Sequence, residues 1–375
     1  MIYLDNSATS DKKPSSVRKA VLKALNNSVN VGRNSSKSSF YLGREIYKVR
    51  EKISDLISVD SPQNIVFTSN ATMSLNFALK GIIKENSNII TTFFEHNSVL
   101  RQIFSDNKIS CSFLPVDNNY KTDIEKIPEL ITKNTQAVVI NCASNVTGVT
   151  LDYKRVYEIC KSFKTPVIFD FSQYIGNKTV DLSGMENVCA AFSGHKALLG
   201  PQGMGVLYIA DGMNLKTVME GGTGSLSEQL IQPDYPPDRF ESGTLNTPGI
   251  LGLGAGVDFV LKHKNEISQH KLELCKMLYE DIKNIDNICV YHNGNFSESV
   301  PLISLNIGEN HSEHTAFLLS SEYDISVRGG LHCAPFAHKI IGTSDTGAVR
   351  LSPGYKTTKR EIKKAVDAIY KLSKI

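Results

Sequence analysis

What this chain lacks narrows its class. None of its seven cysteines stands in a C-x-x-C pair, which argues against a structural zinc site or a thioredoxin-like motif. An odd cysteine count in a chain of 375 residues fits a reducing compartment better than a disulfide framework. No apolar run is long enough to span a bilayer: the best candidate, PGILGLGAGVDFVL, is broken by glycines and by Asp258. The first residues, MIYLDNSATS, carry neither a basic stretch nor an apolar one, so no signal peptide is expected. There is no block of like charge, and the formal net charge is only +3. Neither a nucleic-acid surface nor a charged tail is indicated. Internal repeats and low-complexity segments are absent as well. A soluble cytoplasmic protein is the expectation. With 41% hydrophobic and 21% charged residues the chain can bury a large core, and its length suggests two domains at roughly 100–200 residues each.

What is present is an alternation of helical and strand patterns. Leu42, Ile46, Val49, Ile53 and Leu56 recur at spacings that mark one face of a helix. Short β-rich runs follow: NIVFTS (64–69), NIITT (88–92), AVVINCA (137–143), PVIFDF (166–171), CAAFSG (189–194) and MGVLYIA (204–210). Most are apolar on both faces, as strands covered by helices on two sides must be. Helical stretches at 71–84, 97–106 and 152–163 lie between them. This order predicts an α/β layer with a mostly parallel sheet. Beyond about residue 255 the texture changes to a long helical region (256–285), strands near 288–291, 301–307 and 325–328, and a final helix near 358–374. The division expected is a large α/β domain over 16–255 and a smaller α+β domain made of 1–15 and 256–375.

Ligands of open α/β sheets bind beyond the carboxyl ends of the strands, so the residues there carry the chemistry. The first run is followed by Asn70-Ala71-Thr72-Met73-Ser74, a helix start that suits a phosphate and equally suits an ordinary helix cap. Asp170 ends an apolar strand and is followed by Gln173; a partnered carboxylate is required there, as a functional group, a cap or a structural ion pair. Lys196 stands in the apolar segment AFSGHKALLG, where an unpartnered ammonium would be expensive. A lysine, a strand-borne aspartate and a phosphate-binding helix start are together the parts that pyridoxal phosphate chemistry needs.

The segment SGHKALLGPQGMGVLY resembles the lysine signature of the class V aminotransferases, in the cysteine desulfurase and selenocysteine lyase branch. The likeness runs along nearly the whole chain through YLDNSAT, EHNSV, SNVTG, DFSQ, RFESGTLNT, RGGLHCAPF and VRLSPGY. It implies the fold-type I architecture of pyridoxal 5'-phosphate enzymes, with the cofactor bonded to Lys196. Asp170 would pair with the cofactor's ring nitrogen, Gln173 with its ring oxygen, and His96 would stack on the ring. Ala71, Thr72, Ser193 and His195 would hold the phosphate. Thr244 would reach the phosphate of a neighbouring subunit, which implies a homodimer. Asn145 and Arg350 would grip the substrate carboxylate, with Arg328 close by.

Cys333 lies in VRGGLHCAPF, beside His332 and five residues after Arg328; nearby positive charge favours a thiolate. The pattern is similar to the persulfide-bearing cysteine of group II desulfurases. The implied reaction converts L-cysteine to L-alanine, with the sulfur passed as a persulfide to a protein acceptor. Selenocysteine, or another substrate of a class V lyase or aminotransferase, is the alternative. The chain departs from the family pattern at Asn70 and Met73, in the 30–39 segment, and between Cys333 and Arg350. GGTGS (221–225) reads as a backbone turn, and HSEH (311–314) as a helix start rather than a metal site.

Overall fold

A seven-stranded sheet occupies the first two-thirds of the chain, in the spatial order Ile65–Thr68, Gly205–Ile209, Val188–Ser193, Val167–Asp170, Thr135–Asn141, Asn88–Thr91, Ser110–Phe113. The computed structural model describes residues 1–27, 29–31 and 36–374. Every pairing from Val188–Ser193 to Ser110–Phe113 is parallel, and Gly205–Ile209 runs antiparallel to both of its neighbours. Six strands therefore point the same way and end on one edge.

The apolar runs form strands because both faces are covered. Along Thr135–Asn141, Val138 and Ile140 enter one core while Ala137 and Val139 enter the other. Phe169 and Ile168 divide in the same way, the period of two that a pleated strand imposes. The first core is closed by the helices Lys37–Ile57 and Tyr153–Ser162, the second by Ala71–Ile82 and Asn97–Phe104. Six of the seven strands match the runs picked out in the sequence. The Ser110–Phe113 strand does not, because its sequence SCSF is polar and it sits partly exposed at the sheet edge.

A third core surrounds an antiparallel sheet of Ile288–Val290, Ile303–Ile307 and Val349–Leu351. The last helix, Lys359–Leu372, buries Ile362, Ala365 and Ile369 here. Its start is a capping box between Thr358 and Glu361. The two-residue strand Ile2–Tyr3 pairs in parallel with Ile325–Ser326 and brings Leu4 into the same core.

The long helix differs from expectation. It runs Thr247–Ile282 with non-helical backbone at His263, so it starts nine residues before the expected 256. The glycines that made 247–256 look irregular are packing contacts. A Cβ on Gly254 would lie 2.5 Å from Val49, and one on Gly256 would lie 2.4 Å from the Leu198 carbonyl. Ile250, Leu253 and Val257 belong to the first core, whereas Leu274, Leu278 and Ile282 belong to the third. One helix thus serves both layers, and the expected boundary at 255 falls inside it. HSEH opens the helix Ser312–Tyr323. GGTGS lies in an irregular segment. Part of the 30–39 segment, residues 32–35, lies outside the described residues. Among the described residues, no helix is long and apolar enough to cross a membrane.

Candidate active site

The edge where the co-directed strands end opens onto a cavity of about 220 Å³. Each of these strands except Ser110–Phe113 delivers a different part of its lining. After Ile65–Thr68 the chain turns at Asn70, whose side chain accepts from the Met73 amide (2.9 Å) and caps the Ala71–Ile82 helix. Ala71 and Thr72 line the cavity as the first turn of that helix, where backbone N–H groups have no intrahelical acceptor. Asn70 needs no glycine conformation, since its φ of −173° is extended. The glycine that matters is Gly205 on the adjacent strand, where a Cβ would come within 2.3 Å of the Asn70 carbonyl carbon.

After Asn88–Thr91 comes His96, itself the cap of the Asn97–Phe104 helix. Its Nδ1 accepts from the Ser98 amide (3.0 Å), which leaves the ring proton on Nε2. The Ser98 hydroxyl bridges Thr72 Oγ1 and His96 Nδ1, each at 2.8 Å, so the phosphate-type helix start and the histidine are linked. Burial, then the Lys196 charge, pushes His96 down to about 4, against the pull of Asp170. It is a neutral imidazole at neutral pH. The preceding Glu95 is fully buried, accepts from Thr92 Oγ1 and the Asn141 amide (both 2.8 Å), and is pushed up to about 8 by burial.

Asp170 ends its strand buried and accepts from the Ser172 amide (2.8 Å). Both it and Gln173 line the cavity. Gln173 is held by donating Nε2 to the Ser7 carbonyl (3.0 Å). Lys196 follows the Val188–Ser193 strand in a loop closed by the Gly194 amide on the Met204 carbonyl (2.9 Å) and by the Gly200 amide on Gly194 (2.9 Å). The His195 carbonyl is clamped from the N-terminal segment by the Ser10 amide, the Ser10 hydroxyl and Lys13 Nζ, each at 3.0 Å. Burial pushes Lys196 down to about 8; Arg350 and Arg328 push the same way, and Asp170 opposes them. His195 is lowered to about 4 by burial and by the charges of Lys196 and Lys13.

The opposite end of the cavity is made by Asn145, Arg328, His332, Cys333 and Arg350. Arg350 lies on the Val349–Leu351 strand, which the sequence pattern did not mark as a strand. It is 2% exposed. Its Nη1 donates to the Asn145 carbonyl (3.1 Å) and its Nη2 to Asp5 Oδ1 (2.9 Å). Arg328 pairs with it through the backbone: the Arg350 amide donates to the Arg328 carbonyl (2.8 Å). Cys333 is exposed. Both it and His332 hold left-handed φ values, 56° and 49°, which costs roughly 1–2 kcal/mol per non-glycine residue. Three bonds hold that turn. The Cys333 carbonyl accepts from the Asn97 amide (2.7 Å), the His332 carbonyl from Asn145 Nδ2 (2.7 Å), and His332 Nε2 donates to the Ala348 carbonyl (2.9 Å).

Twelve of the thirteen residues singled out in the sequence line this one cavity. Thr244 is not among them; it is exposed, in an irregular segment elsewhere on the surface. Sequence reasoning missed Ser98, Asn141 and Ser7. The N-cap spacing of Ser98 after His96 was the available signal for the first. The other two reach the cavity only through contacts between distant segments.

Several buried polar atoms here have no partner among the described residues: His195 Nδ1, Ser172 Oγ, Asn145 Oδ1 and Arg350 Nε. All four residues line the cavity. Unpaired buried donors and acceptors are costly, and a ligand rich in oxygen and nitrogen would satisfy them. A half-buried lysine near a strand-end carboxylate, facing a helix start, fits an aldehyde that carries a ring nitrogen and a phosphate.

A fold and cavity of this kind define a fold-type I pyridoxal phosphate enzyme. The aminotransferase class-V family model matches residues 2–365, and the chain belongs to that family, whose members depend on pyridoxal 5'-phosphate. It is 28% identical over 371 residues to a probable cysteine desulfurase of Methanothermobacter thermautotrophicus, covering 96% of this chain and 92% of the other. It is 30% identical over 389 residues to the cysteine desulfurase IscS of Vibrio campbellii, covering 98% and 91%. The apo structure of the cysteine desulfurase from Thermococcus onnurineus matches with a TM-score of 0.89 at 27% identity, over all of this chain and 94% of that one.

Proposed function

We propose that this chain is a pyridoxal phosphate-dependent cysteine desulfurase that releases L-alanine from L-cysteine and collects the sulfur on Cys333. The observation that carries the reading is the presence of Cys333, exposed on a pinned turn, in the same cavity as Lys196 and Arg350.

When bound, the cofactor supplies an electron sink for negative charge at the substrate α-carbon. Lys196 would hold it, Asp170 would keep its ring nitrogen protonated, and Gln173 would meet its ring oxygen. Ala71, Thr72, Ser193 and His195 would hold its phosphate. His96 offers a flat neutral face whose tautomer Ser98 fixes. The Lys196 amine when free, with its basicity lowered to about 8, would be suited to take the α-proton and to return one. Arg350 and Asn145 orient the substrate carboxylate. The Cys333 thiolate attacks the substrate sulfur: a sulfur–sulfur bond forms, the carbon–sulfur bond breaks, and the electron pair stays with the carbon skeleton. Protonation of that carbon gives alanine.

Further parts of the reading concern assembly. Two domains meet at the long helix. Two copies form a homodimer in which Thr244 of each chain serves the other copy's site. Its exposure supports this, as does the exposure of Leu230 and Ile231 on the same irregular segment. A protein acceptor removes the persulfide sulfur.

The test is purified protein loaded with pyridoxal phosphate and given L-cysteine together with a thiol reductant, which releases the persulfide sulfur as sulfide. Stoichiometric alanine and sulfide are expected in wild type, and neither in Cys333→Ser. A Cys333→Ser variant with full turnover sinks the assignment.

A further inference from the structure

The carboxylate-binding arginine is not free-standing. We infer that Asp5, at the N-terminal segment, is the positioning residue that aims Arg350 at the substrate carboxylate. The inference rests on the reading of this cavity as a site for a 2-amino acid.

Arg350 lines the cavity and Asp5 does not, so Asp5 meets the guanidinium from behind rather than occupying the substrate's place. Asp5 Oδ1 is 2.9 Å from Nη2, and Asp5 is largely buried, with a side-chain exposure of 17% against 2% for the arginine. Two donors are thereby committed, one to Asp5 and one to the Asn145 carbonyl, while Nε is buried without a partner among the described residues. A guanidinium carries five N–H donors in one plane. Fixing two of its nitrogens against separate acceptors fixes the plane, and with it the direction in which Nε–H points.

The carboxylate has little freedom to leave. The Ser352 amide donates to the Leu4 carbonyl (2.6 Å), the Asn6 amide to the Ser352 carbonyl (3.2 Å), and the Ser7 amide to Ser352 Oγ (2.8 Å). Asp5 is bridged to Ser352, two residues from Arg350 on the same strand direction. The Tyr3 hydroxyl also donates to the Asp5 carbonyl (3.2 Å). Position and charge are supplied together. Arg328 and Lys196 line the same cavity as Arg350, and Asp5 offsets part of that cationic crowding without consuming the face that the substrate uses.

The experiment compares wild type, Asp5→Asn and Asp5→Glu as pyridoxal phosphate-loaded proteins. The readouts are KM and kcat for L-cysteine, and affinity for L-alanine and for ethylamine from the bound cofactor's absorbance. Ethylamine is alanine without its carboxylate. Asp5→Asn is expected to raise KM for cysteine and weaken alanine about tenfold, to leave kcat within about twofold, and to leave ethylamine unchanged, as loss of a charge-assisted hydrogen bond to the orienting arginine predicts. Asp5→Glu, which keeps the charge on a longer arm, should recover part of the alanine affinity. Equal weakening of alanine and ethylamine would mean a merely structural role and overturn the inference. A fall in KM would mean that Asp5 competes with the substrate, and no change would mean that Arg350 is aimed without it; either result overturns the inference too. If wild type binds alanine but does not turn over cysteine, the proposed function fails while the alanine-to-ethylamine ratio still decides the role of Asp5. If wild type binds no alanine, both fail.

Discussion

The two ends of the cavity are built by different rules. At the end lined by Ala71, Thr72, His96, Asp170 and Lys196, each side chain sits within a few residues of the carboxyl terminus of one of the co-directed strands. Local devices finish the placement: Asn70 and His96 are helix caps, and Asp170 accepts from its own turn. At the thiol end, Asn145, Arg328, Cys333 and Arg350 come from two segments of the second half of the chain and one of the first. They are held by bonds that jump across the sequence, such as Asn145 Nδ2 to the His332 carbonyl and Arg350 to Asp5. The first end is a property of the sheet. The second exists only where the third core and the N-terminal segment meet the sheet.

The largest effect is expected at the lysine. Lys196→Ala is expected to lower turnover by on the order of a thousandfold or more, since it removes both the cofactor's attachment and the proton-transferring amine. Absorbance of the dialysed protein and alanine formation check it. The next largest effect is expected at the opposite end. Cys333→Ser should lower sulfide release by about a hundredfold or more by replacing a thiolate with a poor nucleophile, while alanine affinity stays as in wild type. Steady-state and binding measurements on one preparation separate the two ends.

Arg350→Lys should raise KM for cysteine by roughly 10–100-fold, the range for one or two charge-assisted hydrogen bonds. A smaller effect is expected from packing. Gly256→Ala forces a Cβ toward the Leu198 carbonyl in the lysine loop and should destabilise the fold by about 1–3 kcal/mol, read by thermal or denaturant unfolding. The smallest change is in pH dependence. The Lys196 amine is lowered from 10.5 to about 8, chiefly by burial, and only the unprotonated amine reacts with an aldehyde. Cofactor uptake by apoprotein should therefore speed up as pH rises through about 8 and level off above it. A midpoint near 10.5 would show that burial does not depress the amine.

Much of this fold could be read in advance because burial writes itself into composition. Runs such as VIFDF and VVINCA are apolar on both faces since helices cover both, and His96 and Asn70 precede helices as caps do. The Val349–Leu351 strand escaped notice because a charged residue, Arg350, stands at its centre, and burying it depends on distant partners. The helix start at Thr247 escaped because glycine lowers helix propensity, and nothing local reveals that Gly254 and Gly256 face Val49 and the Leu198 carbonyl. Asp5 went unassigned for a related reason, since its partner is 345 positions away.

The alternating α/β order, the family and the identity of nearly every side chain around the cavity were legible in the residues alone. Patterning, caps and motif residues are local properties, and chemistry fixes which residue types they need. That Arg350 is already committed to Asp5 and Asn145, that Ser98 links Thr72 to His96, and that Lys196 is a weakened base emerged from the folded contacts. Those outcomes depend on distances between remote segments and on the exclusion of water, and both arise only once the cores have closed.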